Sequence, residues 1–208
     1  MNVHGNKIGS LFLARHGEST FNRDNRFTGW LDAPLTDKGR EEAGRIAAKL
    51  EDCDFDNAYT SRLSRAIESL HIVLAATHRK KVPVIEADAL NERRYGDLQG
   101  LNKDETAKRF GAEQVHLWRR SYATAPPNGE SLKDTAERVL PYFRLTILRD
   151  IREGHNVLVL AHGNSLRAIV KELDDLDDEE IMALNIATGE VRCYTFDAAM
   201  RLVSCTIL

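Results

Sequence analysis

The chain has 208 residues, 42% hydrophobic and 29% charged, proportions that suit a globular α/β domain with a sizeable buried core. The formal net charge of −3 argues against a general nucleic-acid binder, whose phosphate contacts need a basic surface. No apolar run reaches the length of a membrane span and residues 1–10 hold no secretion-signal core, so a cytoplasmic protein without a membrane partner is expected.

Residues 8–15 read as a first strand, whose apolar run Leu11-Phe12-Leu13-Ala14 ends abruptly in Arg15-His16-Gly17-Glu18-Ser19. Residues 22–34 read as a polar and aromatic loop. Thr36 caps a helix to about Glu51, with Asp37 and Gly39 early in it. Residues 55–60 form a second strand. Ser61 is expected to cap the next helix, through about Thr77, with Ile67, Leu70 and Leu74 on its apolar stripe. Residues 82–86 form a short strand, and residues 91–100 a loop. Short helices follow near 103–110 and 113–121, then a hinge-like loop through Pro126, Pro127 and Gly129. Ser131 caps a long helix to about Glu153, in which Pro141 bends the axis or marks an irregularity; Gly154 ends it. A second apolar run, Val157-Leu158-Val159-Leu160-Ala161, ends in His162-Gly163-Asn164-Ser165. A helix over about 164–173, a short acidic helix near 178–184, and strands near 190–197 and 201–207, paired as an edge hairpin, complete the chain.

This alternation predicts an α/β fold in three layers: a mostly parallel sheet covered by helices on both faces. A small cap-like insertion, about 91–130, lies at the carboxyl edge, and residues 1–208 read as one domain. The cysteines, Cys53, Cys193 and Cys205, lack metal-ligand spacing and read as reduced thiols packed as small buried hydrophobes.

Two strands thus each deliver His-Gly at a carboxyl end, where ligands bind in open α/β sheets. Arg15 adds a fixed positive charge, so the expected ligand is an anion such as phosphate. A neutral imidazole fixed through one nitrogen is a nucleophile toward phosphorus. Arginines and a second imidazole can stabilise the charge spread over the transferring phosphoryl, and N–H groups at the helix after His162 add to the cradle. Either histidine alone is more often a satisfied structural residue than a catalyst; the two matched settings, with Arg15 beside one, favour chemistry. His4, His71, His78, His116 and His155 read as surface or helix residues. Arg15, Arg26, Arg65, Arg93, Arg94, Arg119 and Arg120 cluster around the motifs, each also open to a structural role. Glu92 is either a general acid/base or an ion-pair partner of Arg93 or Arg94, and Glu18 reads as structural. The acidic run from Glu172 to Glu180 lacks calcium-loop spacing and reads as a solvated turn and helix start. No metal site is expected.

Several stretches together resemble the cofactor-dependent phosphoglycerate mutases of the histidine phosphatase superfamily. They are Arg15 to Asn22, Asn25 to Trp30, Tyr59-Thr60-Ser61 with Arg65-Ala66, Leu90 to Arg93 with Tyr95-Gly96, Leu98 to Lys103, Trp118-Arg119-Arg120, and Ala161 to Arg167. The resemblance covers nearly the whole chain. Arg-His-Gly belongs to the whole superfamily, whereas the Asn-Glu-Arg, Gly-Leu-Asn-Lys and Trp-Arg-Arg segments are far more specific to the mutases. It implies interconversion of 3-phosphoglycerate and 2-phosphoglycerate in glycolysis and gluconeogenesis, primed by 2,3-bisphosphoglycerate. His16 matches the phosphorylated histidine and Glu92 the acid/base. Arg15, Arg65, His162, Asn22 and the Gly163-Asn164 backbone match groups around the transferring phosphoryl. Thr28, Gly29, Tyr95, Lys103, Arg119 and Arg120 match residues that hold the rest of the phosphoglycerate. Partners are small phosphoglycerates; the assembly stays open, a homodimer being one option. The loop through Pro126-Pro127-Asn128-Gly129 is shorter than in longer relatives, and the chain stops at Leu208 without their polar tail, so a less covered pocket is expected. The rival readings are a phosphatase on the same fold, with water taking the phosphoryl from His16, and a catalytically silent anion sensor.

Overall fold

The computed structural model describes residues 8–208; His4 and most of the stretch read for a secretion signal lie outside them. Six strands form one sheet: β1 (Leu11–Arg15), β2 (Asn57–Thr60), β3 (Val84–Glu86), β4 (Val157–Ala161), β5 (Val191–Phe196) and β6 (Leu202–Ile207). Their order is β3-β2-β4-β1-β5-β6. β3, β2, β4 and β1 run parallel, while β5 and β6 add antiparallel at one edge. The two apolar runs are therefore neighbours at the centre, buried on both faces, as continuous apolar strands should be.

Alternation along β1 divides the core. Leu11 and Leu13 face one cluster, packed with α6 (Leu132–Tyr142) and α8 (Gly163–Leu173). Phe12 and Ala14 face the other, packed with α2 (Asp37–Lys49) and α3 (Ser64–Ala76). A third, smaller cluster of Phe27, Leu98, Val115 and Trp118 sits beneath α4 (Lys103–Phe110) and α5 (Ala112–Arg120), tying the 22–34 loop to the insertion.

Several local expectations change. A one-turn helix α1 (Thr20–Arg23) opens the expected loop, because Ser19 and Asn22 bond reciprocally across it. α3 begins at Ser64, and Ser61 does not cap it. Its buried stripe is Ala66, Leu70, Val73 and Leu74, leaving Ile67 half-buried. The long helix is interrupted: α6 passes into a π-helical segment, Phe143–Ile147, before α7 (Leu148–Arg152). Pro141 has no N–H for the carbonyl four residues back, and the irregularity follows immediately. Gly154 ends the helix with φ of 92°. The acidic run gives Asp177 as cap of α9 (Asp178–Ala183), as its composition suggested. Cys53 and Cys193 are only half-buried, and Cys205 is exposed on the edge strand β6, all of whose residues are exposed.

Candidate active site

The register places the two histidines. Arg15 pairs with Ala161, and the ladder continues through a bond from the His16 N–H to the Ala161 carbonyl, so His16 and His162 leave adjacent strands side by side. Their ring centroids lie 4.9 Å apart, close to the ordinary spacing of neighbouring strands. The remaining parallel strands feed the same edge: β2 leads into Ser61 and Arg65, and β3 leads into Glu92.

The Arg15-His16-Gly17 turn is clamped from behind. A Cβ on Gly17 would lie 2.0 Å from the Gly39 carbonyl oxygen, and one on Gly39 would lie 2.1 Å from that of Glu18. Only a glycine pair allows α2 this approach. Ser69 Oγ accepts from the Gly17 N–H, and the buried Glu42 carboxylate accepts from the Glu18 N–H at 2.7 Å. Glu18 itself is structural, bonded to Thr36 and Lys38.

His16 Nδ1 lies 2.6 Å from the Gly17 carbonyl oxygen. A carbonyl only accepts, so Nδ1 carries the proton and Nε2 keeps its lone pair. Burial, then the Arg65 and Arg15 charges, hold His16 well below the usual imidazole range. Burial, then Arg65, His16, Arg15 and Arg138, do the same to His162. Both rings are therefore held neutral at neutral pH.

Glu92 is buried, yet it forms no ion pair with Arg93 or Arg94. One carboxylate oxygen, Oε1, accepts from the Arg93 N–H at 2.7 Å, the Asn164 N–H at 3.2 Å and Asn164 Nδ2 at 2.9 Å. Oε2 takes no hydrogen bond among the described residues, and Glu92 lines a cavity of about 120 Å³. Arg93 turns instead to the Tyr95 hydroxyl and the Arg119 carbonyl, and Arg94 lies over the Trp30 ring.

Arg15, Asn22, Thr28, Gly29, Tyr95, Lys103, Arg119, Arg120, Gly163 and Asn164 line this cavity with Glu92. His16, His162 and Arg65 are buried and are not part of the lining. Glu92 is the one acidic lining residue among those described. The cations around it are bonded to neutral groups. Arg15 donates to the Ile186 carbonyl, Arg65 to those of Gly29 and Leu31, and Arg120 to that of Leu184. Buried guanidinium nitrogens of Arg15, Arg93 and Arg167 have no partner among the described residues. Burial lowers Arg65 to about 10, and lowers Lys103 and Arg120, with Arg119 adding to both. So much uncompensated positive charge is expensive unless an anion of high charge enters.

The family model described as histidine phosphatase superfamily (branch 1) matches residues 11–205. The chain belongs to the histidine phosphatase superfamily. It is 54% identical over 189 residues, 90% of each chain, to the 2,3-bisphosphoglycerate-dependent phosphoglycerate mutase of Parvibaculum lavamentivorans. It is 50% identical over 196 residues, 93% of each, to the phosphoglycerate mutase of Schizosaccharomyces pombe. Among solved structures it is similar to Bacillus stearothermophilus YhfR, with TM-score 0.83, 28% identity and 94% of each chain covered. The mycobacterial glucosyl-3-phosphoglycerate phosphatase complex with VO3 gives TM-score 0.80 and 25% identity, covering 90% of this chain and 92% of that one.

Two features of the site were not assigned from the sequence. Ser61, expected as a helix cap, instead lies 2.6 Å through Oγ from His162 Nε2. Arg167, buried on α8, donates to Asn164 Oδ1 at 3.0 Å and so aims the Asn164 amide nitrogen at Glu92. Arg167 lies one turn beyond Asn164 on a helix, a spacing that could have suggested the contact. Ser61 gives no comparable signal.

Proposed function

We infer that this chain interconverts 3-phosphoglycerate and 2-phosphoglycerate through a phosphohistidine on His16, primed by 2,3-bisphosphoglycerate, in glycolysis and gluconeogenesis, and works in the cytoplasm. The observation that carries this reading is the combination of uncompensated cations with a single carboxylate whose one oxygen is fixed and whose other is free. A substrate bearing a phosphate and a carboxylate supplies the missing negative charge. The free Glu92 Oε2 supplies the proton exchange that its hydroxyl needs.

The chemistry then follows from the atoms. The phosphoryl passes from His16 Nε2 to the 2-hydroxyl of 3-phosphoglycerate, whose proton goes to Glu92 Oε2. The bisphosphoglycerate so formed turns in the site. His16 Nε2 attacks the 3-phosphoryl, the P–O bond breaks, and the leaving oxygen takes the proton back from Glu92. His16 is left phosphorylated and 2-phosphoglycerate departs. Arg15 and Arg65 neutralise the moving phosphoryl, and Asn22, His162 and the Gly163 N–H donate hydrogen bonds to its oxygens, the Asn164 N–H being already committed to Glu92 Oε1. Lys103, Arg119 and Arg120, with Thr28, Gly29 and Tyr95, hold the rest of the substrate.

A phosphatase is the second reading, favoured by the structural likeness to a sugar-phosphoglycerate phosphatase. An assay of 3-phosphoglycerate conversion with and without bisphosphoglycerate separates the two. Conversion that depends on the primer, with an acid-labile phosphoenzyme lost in His16→Ala, is expected. Release of inorganic phosphate as the main product would overturn the mutase reading, and undiminished labelling of His16→Ala would overturn the nucleophile.

A further inference from the structure

The two histidines need opposite hydrogen-bonding roles. His16 must offer a lone pair to phosphorus, and His162 must offer an N–H to phosphoryl oxygen. His16 is set by the Gly17 carbonyl, which can only accept. His162 has no such partner among the described residues: its Nε2 faces a hydroxyl, which can donate or accept, and its buried Nδ1 makes no hydrogen bond, not even a cap bond to the first turn of α8.

We propose that Ser61 is the positioning residue that fixes the donor tautomer of His162. Ser61 is fully buried, and Oγ has two neighbours within hydrogen-bonding distance among the described residues. The Leu63 N–H, 3.2 Å away, can only donate to it. The Ser61 O–H therefore has one acceptor open to it, His162 Nε2. If Nε2 carried the proton, both the Ser61 O–H and the Nδ1 lone pair would be buried without partners. With the proton on Nδ1, a single orphan remains, the Nδ1–H. Each unpaired buried group is costly, so the second arrangement wins. The surviving orphan is a donor, on a ring whose centroid lies 4.9 Å from that of His16, and it is the bond His162 offers to a phosphoryl oxygen. His162 exchanges no proton during transfer; it only donates this bond.

The inference rests on the phosphohistidine reading, and its test separates the two. Imidazole ¹⁵N NMR of the ligand-free protein should show His162 protonated on Nδ1 and bare on Nε2. Ser61→Ala should leave the fold intact but mix the tautomers. It should slow His16 phosphorylation by bisphosphoglycerate about 10–100-fold, less than the 10²–10³ typical of deleting a transition-state donor outright. Ser61→Thr, which keeps the hydroxyl, should restore both signals. A wild-type His162 protonated on Nε2 would overturn the proposal. So would a Ser61→Ala protein that is slow while its His162 tautomer is unchanged, since Ser61 would then act through packing alone. A wild-type protein that forms no phosphohistidine would overturn the parent function, while the NMR result would still decide Ser61.

Discussion

At the scale of single residues, the site works by dividing labour within a side chain. Glu92 Oε1 receives three N–H donors and is immobilised, leaving Oε2 as the atom able to exchange a proton. Glu92→Gln can keep the three bonds through its amide oxygen but cannot take a proton. It should bind bisphosphoglycerate almost normally, by calorimetry, while turnover falls about 10²–10⁴-fold. Turnover within a few-fold of wild type would remove Glu92 from the acid/base role. The histidines give a second prediction. Both are held neutral in the folded protein, well below the imidazole range, chiefly by burial and Arg65. The unfolded chain protonates them near pH ~6.5. Their contribution to stability is full above that pH and declines as pH falls below it toward the depressed folded values. The slope is at most about 1.4 kcal/mol per pH unit for each histidine. Urea unfolding in phosphate-free buffer should show wild type losing more stability between neutral and mildly acid pH than the His16→Asn/His162→Asn double variant. Equal losses would mean the histidines are protonated in the folded state.

At the scale of elements, α2 is a clamp as well as a core helix. Its buried face packs on the sheet through Ala43, Ile46 and Ala47, while Gly39 and Glu42 press on the catalytic turn. Two glycines on this one helix should respond oppositely to alanine. A Cβ on Gly44 meets nothing within 4 Å, so Gly44→Ala should stabilise by about 0.5–1 kcal/mol through helix propensity. Gly39→Ala must push against the Glu18 backbone. It should lose about 1–3 kcal/mol, as overpacking does, and lower activity by moving the Arg15-His16-Gly17 turn. Urea midpoints and turnover of the two variants check this; a stable, fully active Gly39→Ala would mean that the clamp yields freely. In the long helix, Pro141 was visible in the sequence as a disturbance. Its outcome, a π-helical segment with Phe143 and Ile147 still fully buried, was fixed by how the helix packs on α8 and the sheet.

At the scale of the whole molecule, a chain of net charge −3 concentrates cations at one sheet edge. Their fields add in a partly desolvated cleft, and an anion that fills it relieves their repulsion. Inorganic phosphate or vanadate should therefore raise the melting temperature, by about 2.7 kcal/mol of added stability at a ligand concentration 100 times Kd. The gain should shrink in variants lacking Arg15 or Arg65. An unchanged melting temperature would show that the cavity is no anion site. Since side chains supply the positive charge, EDTA should leave turnover intact, and loss of activity restored by a divalent ion would contradict that.

The sequence by itself determined which elements form and which residues carry reactive groups. Continuous apolar runs ending in His-Gly, helices opened by Thr36 and Ser131, and Gly154 at a helix end are local signals, readable within a few residues. The α/β class and the concentration of arginines follow from them. Only the tertiary structure decided the partners. Glu92 and Asn164 are 72 residues apart in the chain, and Ser61 and His162 are 101 apart. Nothing local distinguishes a serine that caps a helix from one that faces an imidazole across the sheet. Nor can local sequence say whether Glu92 pairs with the adjacent arginine or turns away from it. Those choices depend on strand order and register, which place β1 beside β4, and on the cost of burying a polar group without a partner.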